Sequence, residues 1–314
     1  MNRLERSHLE AEVTFLEEQL REIGQDAGLT RLSLESRLNE VREQLVAAPE
    51  DAREPAKAIV TFRGKPVLGT HGVMADFGAA VTKAFSDAVS TVAASIDRPL
   101  NAMGPIPNRE QNRLLITGTA IGSFGFEFEE MAVLPLLDDQ RSAVDVALER
   151  TQKLLESTTE SDEVLAENLQ NTDPRAVEKV KAFLKVLSDS EATCAIERNG
   201  QRFFFSNIEQ IETSLARLSE DNIHEEIIRK PGTMTGSMPG RRQFEFRPDG
   251  EEVLIYGTIG PQIEEPGRVL GQWGSRFIAT IHVTRVGNGL AKYQLTRVDR
   301  LDALNPPDQI DPPK

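Results

Sequence analysis

Apolar residues recur near the start of the chain at Leu9, Val13, Leu16, Leu20 and Ile23, at alternating spacings of four and three, which places them on one helical face as in a coiled-coil seam. Leu34, Leu38, Val41 and Leu45 repeat the pattern. Gly24 and Gly28 lie between the two runs, and each would cost about 1 kcal/mol inside a helix relative to alanine. A turn is the cheaper solution, so residues 1–49 are expected to form an antiparallel helical hairpin. A short pair of helices covers little of its own stripe, so these nine side chains need the rest of the chain, a second copy or another protein against them, and they are the candidates for partner binding.

Residues 50–57 are rich in proline, alanine and charge and read as a linker. Beyond it, 58–229 alternates between two periods. Ile59–Phe62 and Val67–Leu68 flank Arg63-Gly64-Lys65-Pro66 and predict a short β-hairpin. Phe77, Val81, Phe85, Val89, Val92 and Ile96 share a face and predict a helix over about 75–96. LLITGTAIGSFGFEFEE reads as one long strand, and helices are expected at 139–157, at 162–170 and from Pro174. Asn199-Gly200 then predicts a tight hairpin turn between strands at 192–197 and 202–206.

The sequence KPGTMTGSMPG suggests a second linker over 230–241. Residues 242–304 carry short alternating runs separated by Pro248-Asp249-Gly250 and Gly287-Asn288-Gly289, the pattern of a small antiparallel barrel or curled sheet. NPPDQIDPPK, within 305–314, is a proline-rich tail. The fold class expected is α+β: a helical hairpin, a central α+β domain with hairpin-then-helix units, and a β-rich C-terminal module.

Charge sharpens this division. The formal net charge is -14, with -16 falling in residues 1–228 and +2 in residues 229–314. Acidity of that size repels phosphate backbones, so a nucleic-acid role would be confined to the C-terminal module. There Arg241, Arg242, Arg247, Arg268, Arg276, Arg285, Arg297 and Arg300 alternate with Phe244, Phe246, Tyr256, Trp273 and Tyr293. Cations for phosphates and rings for stacking are the ingredients of single-strand-binding barrels. Arg241, Arg242, Arg247, Trp273, Arg276 and Tyr293 are the candidates for that alternative. Ten acidic residues share the segment, and a mixed-charge surface over an aromatic core accounts for the same composition.

Signatures of catalysis are weak. His71 and Asp76 stand five apart at a turn before a helix and are the only acid–base candidates, beside the plainer reading of a turn histidine and a first-turn aspartate. The glycines at 118, 122 and 125 are followed by no GK[ST] and open no helix, so they form no phosphate loop. The acidic group Glu127, Glu129, Glu130, Asp138 and Asp139 has no lysine at nuclease spacing. Cys194 is a lone cysteine in an apolar strand, which excludes a disulfide framework and fits the cytoplasm. No stretch approaches the ~20 apolar residues of a membrane span. No cofactor and no metal are expected.

The runs SLESRLNEVREQL, VTFRGKPVLGTHGVMADF and LLITGTAIGSFGFEFEE resemble a group of bacterial hypothetical proteins, over roughly residues 1–130. That resemblance implies a bacterial or mobile-element source and no particular activity. The functional expectation is a non-enzymatic interaction, scaffold or regulatory component of a bacterial system. It would oligomerise or dock through its N-terminal hairpin, with nucleic-acid binding by the β-module as the alternative and a hydrolase at His71 and Asp76 as a weaker one.

Overall fold

The computed structural model describes residues 3–23, 28–47, 55–120, 124–131, 141–267 and 276–300. The chain is α+β, with a helical pair at its N-terminus and a closed five-stranded barrel near its C-terminus. It divides into two units, one of residues 1–151 and 189–205, the other of 152–188 and 206–314.

In the first unit, α1 (Arg3–Glu22) and α2 (Gly28–Ala47) form the pair. Six Cα steps from Glu22 to Gly28 reach about 22 Å at full extension, short of the ~30 Å length of a 20-residue helix, so the chain must reverse. Leu16, Leu38 and Val41 are buried in the seam, and Leu9, Val13, Leu20, Leu34 and Leu45 pack against them. Arg37 donates to Glu12 at 2.7 Å and Arg42 to Glu17 at 2.7 Å, which ties the two helices across the seam.

The same unit holds a sheet of β1 (Lys57–Gly64), β4 (Leu114–Thr119), β5 (Gly125–Glu130), β6 (Ala192–Arg198) and β7 (Gln201–Phe204) in the order β4-β5-β1-β6-β7. Helix α3 (Ala75–Ala94) lies over one face. Phe77 meets Phe62 of β1 edge-on at 5.5 Å, and Phe85 meets Phe128 of β5 at 4.9 Å. Ala58, Val60 and Phe62 are buried on that face, as strand alternation requires.

Two expectations change in this unit. The long strand expected from Arg113 to Glu130 is a hairpin of β4 and β5, because Gly125 must approach β1: a Cβ there would stand 2.2 Å from the Val60 carbonyl oxygen. Val67–Leu68 (β2) pairs with Gly72–Val73 (β3) rather than with β1, whose two edges are taken by β5 and β6. The Asn199-Gly200 turn is as expected, with φ of 50° and 75°.

Helix α4 (Ala143–Ser157) runs from the first unit into the second, where α5 (Asp162–Gln170), α6 (Pro174–Asp189) and α7 (Ile208–Arg217) follow. Ser161 caps α5 by accepting from Val164, and Asn207 caps α7 by accepting from Gln210. The barrel comprises β8 (Ile223–Met238), β9 (Gln243–Pro248), β10 (Ile255–Ile259), β11 (Arg276–Val286) and β12 (Lys292–Arg300), closed in the order β10-β12-β11-β8-β9. All neighbours are antiparallel except β10 and β12. Its core holds Phe244, Phe246, Phe277, Ile281 and Leu295.

Residues 230–238 are therefore no linker but the second half of the 16-residue strand β8. Their glycines permit close backbone approach: at Gly232 a Cβ would lie 2.3 Å from the Arg247 carbonyl oxygen, and Gly236 follows a bulge opposite Glu245. The module begins at Ile223, before the expected boundary at 242. The central domain expected over 58–229 is divided, since 152–188 belongs with the barrel unit and 189–205 completes the sheet. The tail at 305–314 and most of the linker at 50–57 lie outside the described residues.

Candidate ligand cavity on the barrel

Taken in chain order from β8, the closed barrel runs first-second-third-fifth-fourth, with the third and fifth strands parallel. This is the strand order of oligonucleotide/oligosaccharide-binding barrels, in which the second and third strands carry ligands. Fold analogy alone assigns no function, so the face must be judged by its own side chains.

That face is recessed. A cavity of about 620 Å³ opens over β9 and β10 and is bounded by the end of β8, the start of β12 and helix α5. The volume falls within the range of small-ligand sites. Phe244 is a buried part of its lining, while Tyr256 and Met238 are 60% and 54% exposed. Alternation along β10 turns Ile255 and Ile259 into the core and Tyr256 outward, so the ring is displayed because its neighbours are buried.

The polar lining is mostly acceptor and amide. Glu245 stands directly opposite Tyr256 in the β9–β10 register. Its Oε1 accepts from the Thr235 hydroxyl at 2.6 Å, which orients the carboxylate. From α5 come Glu167 and Gln170, and Lys292 of β12 places its Nζ 3.9 Å from a Glu167 oxygen. Helix α5 is held to the barrel by two glutamine bonds: Gln170 donates to the His282 carbonyl at 3.4 Å, and Gln294 donates to the Gln170 carbonyl at 3.3 Å. At the other end of α5, Glu163 accepts from the Leu290 amide at 3.1 Å. Bonds from its own backbone N–H and then from that amide hold the Glu163 carboxyl below the usual range.

Of the five nucleic-acid candidates among the described residues, only Tyr293 lines this cavity. Arg242 has a left-handed backbone (φ 50°), and its guanidinium donates to the carbonyls of Ile259, Gly260 and Ile263 at 3.0, 2.5 and 2.8 Å. It closes the barrel instead of facing a phosphate. Arg276 is paired with Asp249. Arg241 and Arg247 are exposed, and Trp273 lies outside the described residues. The seam residues predicted to bind a partner meet one another within the helical pair, except Ile23, which is half-buried at its end.

His71 and Asp76 are both exposed, the histidine in the turn before α3 and the aspartate in its first turn, with no hydrogen bond between them. Among the described residues no cluster of His, Cys, Asp or Glu could hold a metal ion. Asp138 and Asp139 of the predicted acidic group lie outside those residues. Glu129 and Glu130 are buried, and Glu130 accepts from the Ser142 hydroxyl at 3.1 Å. A smaller cavity of about 440 Å³ on the five-stranded sheet is lined by Arg63, Arg202 and Phe204 and touches Cys194, whose thiol burial pushes far above its ordinary pKa. No helix among the described residues is long and apolar enough to cross a membrane.

Sequence reasoning noted Tyr256 only as one ring among several and missed the cavity, because Glu167 and Gln170 come from a helix more than 50 residues away from β8 in sequence. Comparison of the chain with family models, with curated proteins and with solved structures gives no match.

Proposed function

We propose that this chain is a non-enzymatic interaction protein that self-associates or docks through its N-terminal helical pair and holds a partner segment on its barrel. The observation that carries this reading is the apolar surface that the helical pair leaves uncovered outside its seam. Only Leu16, Leu38 and Val41 are buried in the seam, while five further apolar side chains are partly covered and Phe15, Leu29, Leu32 and Val46 are exposed on the same two helices. Covering that surface in a second molecule removes apolar area from water, at roughly 25 cal/mol per Å². The test is light scattering of the full chain beside a form lacking residues 1–49. A dimer or larger species that becomes monomeric on deletion supports the reading, and equal monomers with unchanged partner capture refute it.

The barrel's strand order favours a second reading, binding of a nucleic-acid strand by residues 223–300. It requires salt-dependent retardation of a single-stranded probe, weakened by substituting Arg241 and Arg247.

A further inference from the structure

We infer that the barrel cavity recognises a cationic side chain, an arginine or lysine presented by an extended segment of a protein partner. The inference rests on the interaction reading above and names the chemistry of its partner. Tyr256 and Glu245 are directly opposed on neighbouring antiparallel strands and both line the cavity, which sets their Cβ atoms about 5 Å apart. An exposed aromatic ring beside an oriented carboxylate suits a cation: the ring face attracts it through its quadrupole and the carboxylate through charge-assisted hydrogen bonds.

The balance of charge selects the occupant. Two carboxylates, Glu167 and Glu245, face one cation, Lys292, and that cation lies 3.9 Å from Glu167. Glu245 is thereby left as the uncompensated charge of the lining, with only a neutral hydroxyl on its Oε1. A phosphate chain laid here would meet that carboxylate at close range, whereas a guanidinium or ammonium would neutralise it. Met238, exposed at the rim, offers a polarisable surface for the aliphatic stem of such a side chain. The amide of Gln243, exposed on β9, supplies a donor and an acceptor for a peptide backbone.

The protein offers its own probes, because its two tyrosines, Tyr256 and Tyr293, both line the cavity. Full-length protein labelled with 3-fluorotyrosine gives two fluorine resonances, assigned with Tyr256→Phe. It is titrated with acetyl-Ala-Arg-Ala-amide, with the same peptide carrying citrulline, with maltotetraose and with the oligonucleotide dT4. The expected result is a saturable shift of the Tyr256 resonance by the arginine peptide, with at least tenfold weaker binding of the citrulline peptide. Glu245→Gln keeps an acceptor for Thr235 and is expected to lower arginine-peptide affinity about tenfold while leaving self-association of the protein in place. Equal response to arginine and citrulline, response to maltotetraose or dT4 alone, or no saturable shift with any probe overturns the inference. Self-association by light scattering is read on the same sample. Loss of the peptide response with association intact removes the inference alone, and loss of association with the response intact removes the reading it rests on.

Discussion

Arg198 is only 7% exposed, yet it carries a full charge on a strand of the five-stranded sheet. It is tolerated there because Asp145 lies 2.8 Å from one guanidinium nitrogen and Glu149 3.3 Å from the other, while Arg141 contacts the same two carboxylates from outside at 2.6 Å each. Removing one partner of such a group strands the others in a poor solvent. Arg198→Ala is expected to destabilise the protein by about 3–5 kcal/mol in urea unfolding, and Arg141→Ala, at the exposed rim, by less than about 1 kcal/mol. Cys194 makes a second residue-scale prediction. Burial raises its thiol pKa, so the thiolate is scarce and shielded. A chromogenic disulfide reagent at pH 8 should find no reactive thiol in the native chain and one after denaturation.

Strand closure and helix pairing set the predictions at the scale of elements. The parallel pairing of β10 with β12 extends over only two residue pairs, and it depends on Gly257, where a Cβ would stand 2.1 Å from the Tyr293 carbonyl oxygen and 2.8 Å from the Phe244 ring. Backbone cannot yield there without parting the strands. Gly257→Ala is expected to cost upward of about 2 kcal/mol and to shift both tyrosine resonances. In the helical pair, the hydrogen bond from Arg37 lowers the pKa of Glu12 below the usual carboxylate range. A carboxylate depressed on folding stabilises above its unfolded pKa, and the contribution is lost as pH falls through the lower folded value. Helicity of residues 1–49 should therefore hold from neutral pH to the ordinary carboxylate pKa of about 4.3 and decline below it. The Glu12→Gln form should show a smaller decline.

On the scale of the whole molecule, the units are discontinuous in sequence, and this fixes where the chain can be cut. A fragment of residues 242–304, the module as sequence alone bounds it, lacks β8, which pairs with both β9 and β11. It should show no cooperative unfolding, whereas 152–300 retains all five strands and the α5 contacts through Gln170 and Gln294 but also spans the 189–205 strands. The helical seam, helix α3, the Asn199-Gly200 hairpin and the alternation of β11 were legible, because each follows from a local period or a turn residue whose effect does not depend on distant chain. The α+β class followed from them. What local pattern could not give was pairing. Gly232 and Gly236 look like linker glycines until β9 lies against them, β4 and β5 look like one strand until β1 claims Gly125, and Arg242 looks like a phosphate ligand until three carbonyls surround it. The cavity belongs to the same class: its tyrosines, its carboxylates and its lysine come from β9, β10, β12 and α5, and only closure of the barrel against that helix brings them to one surface.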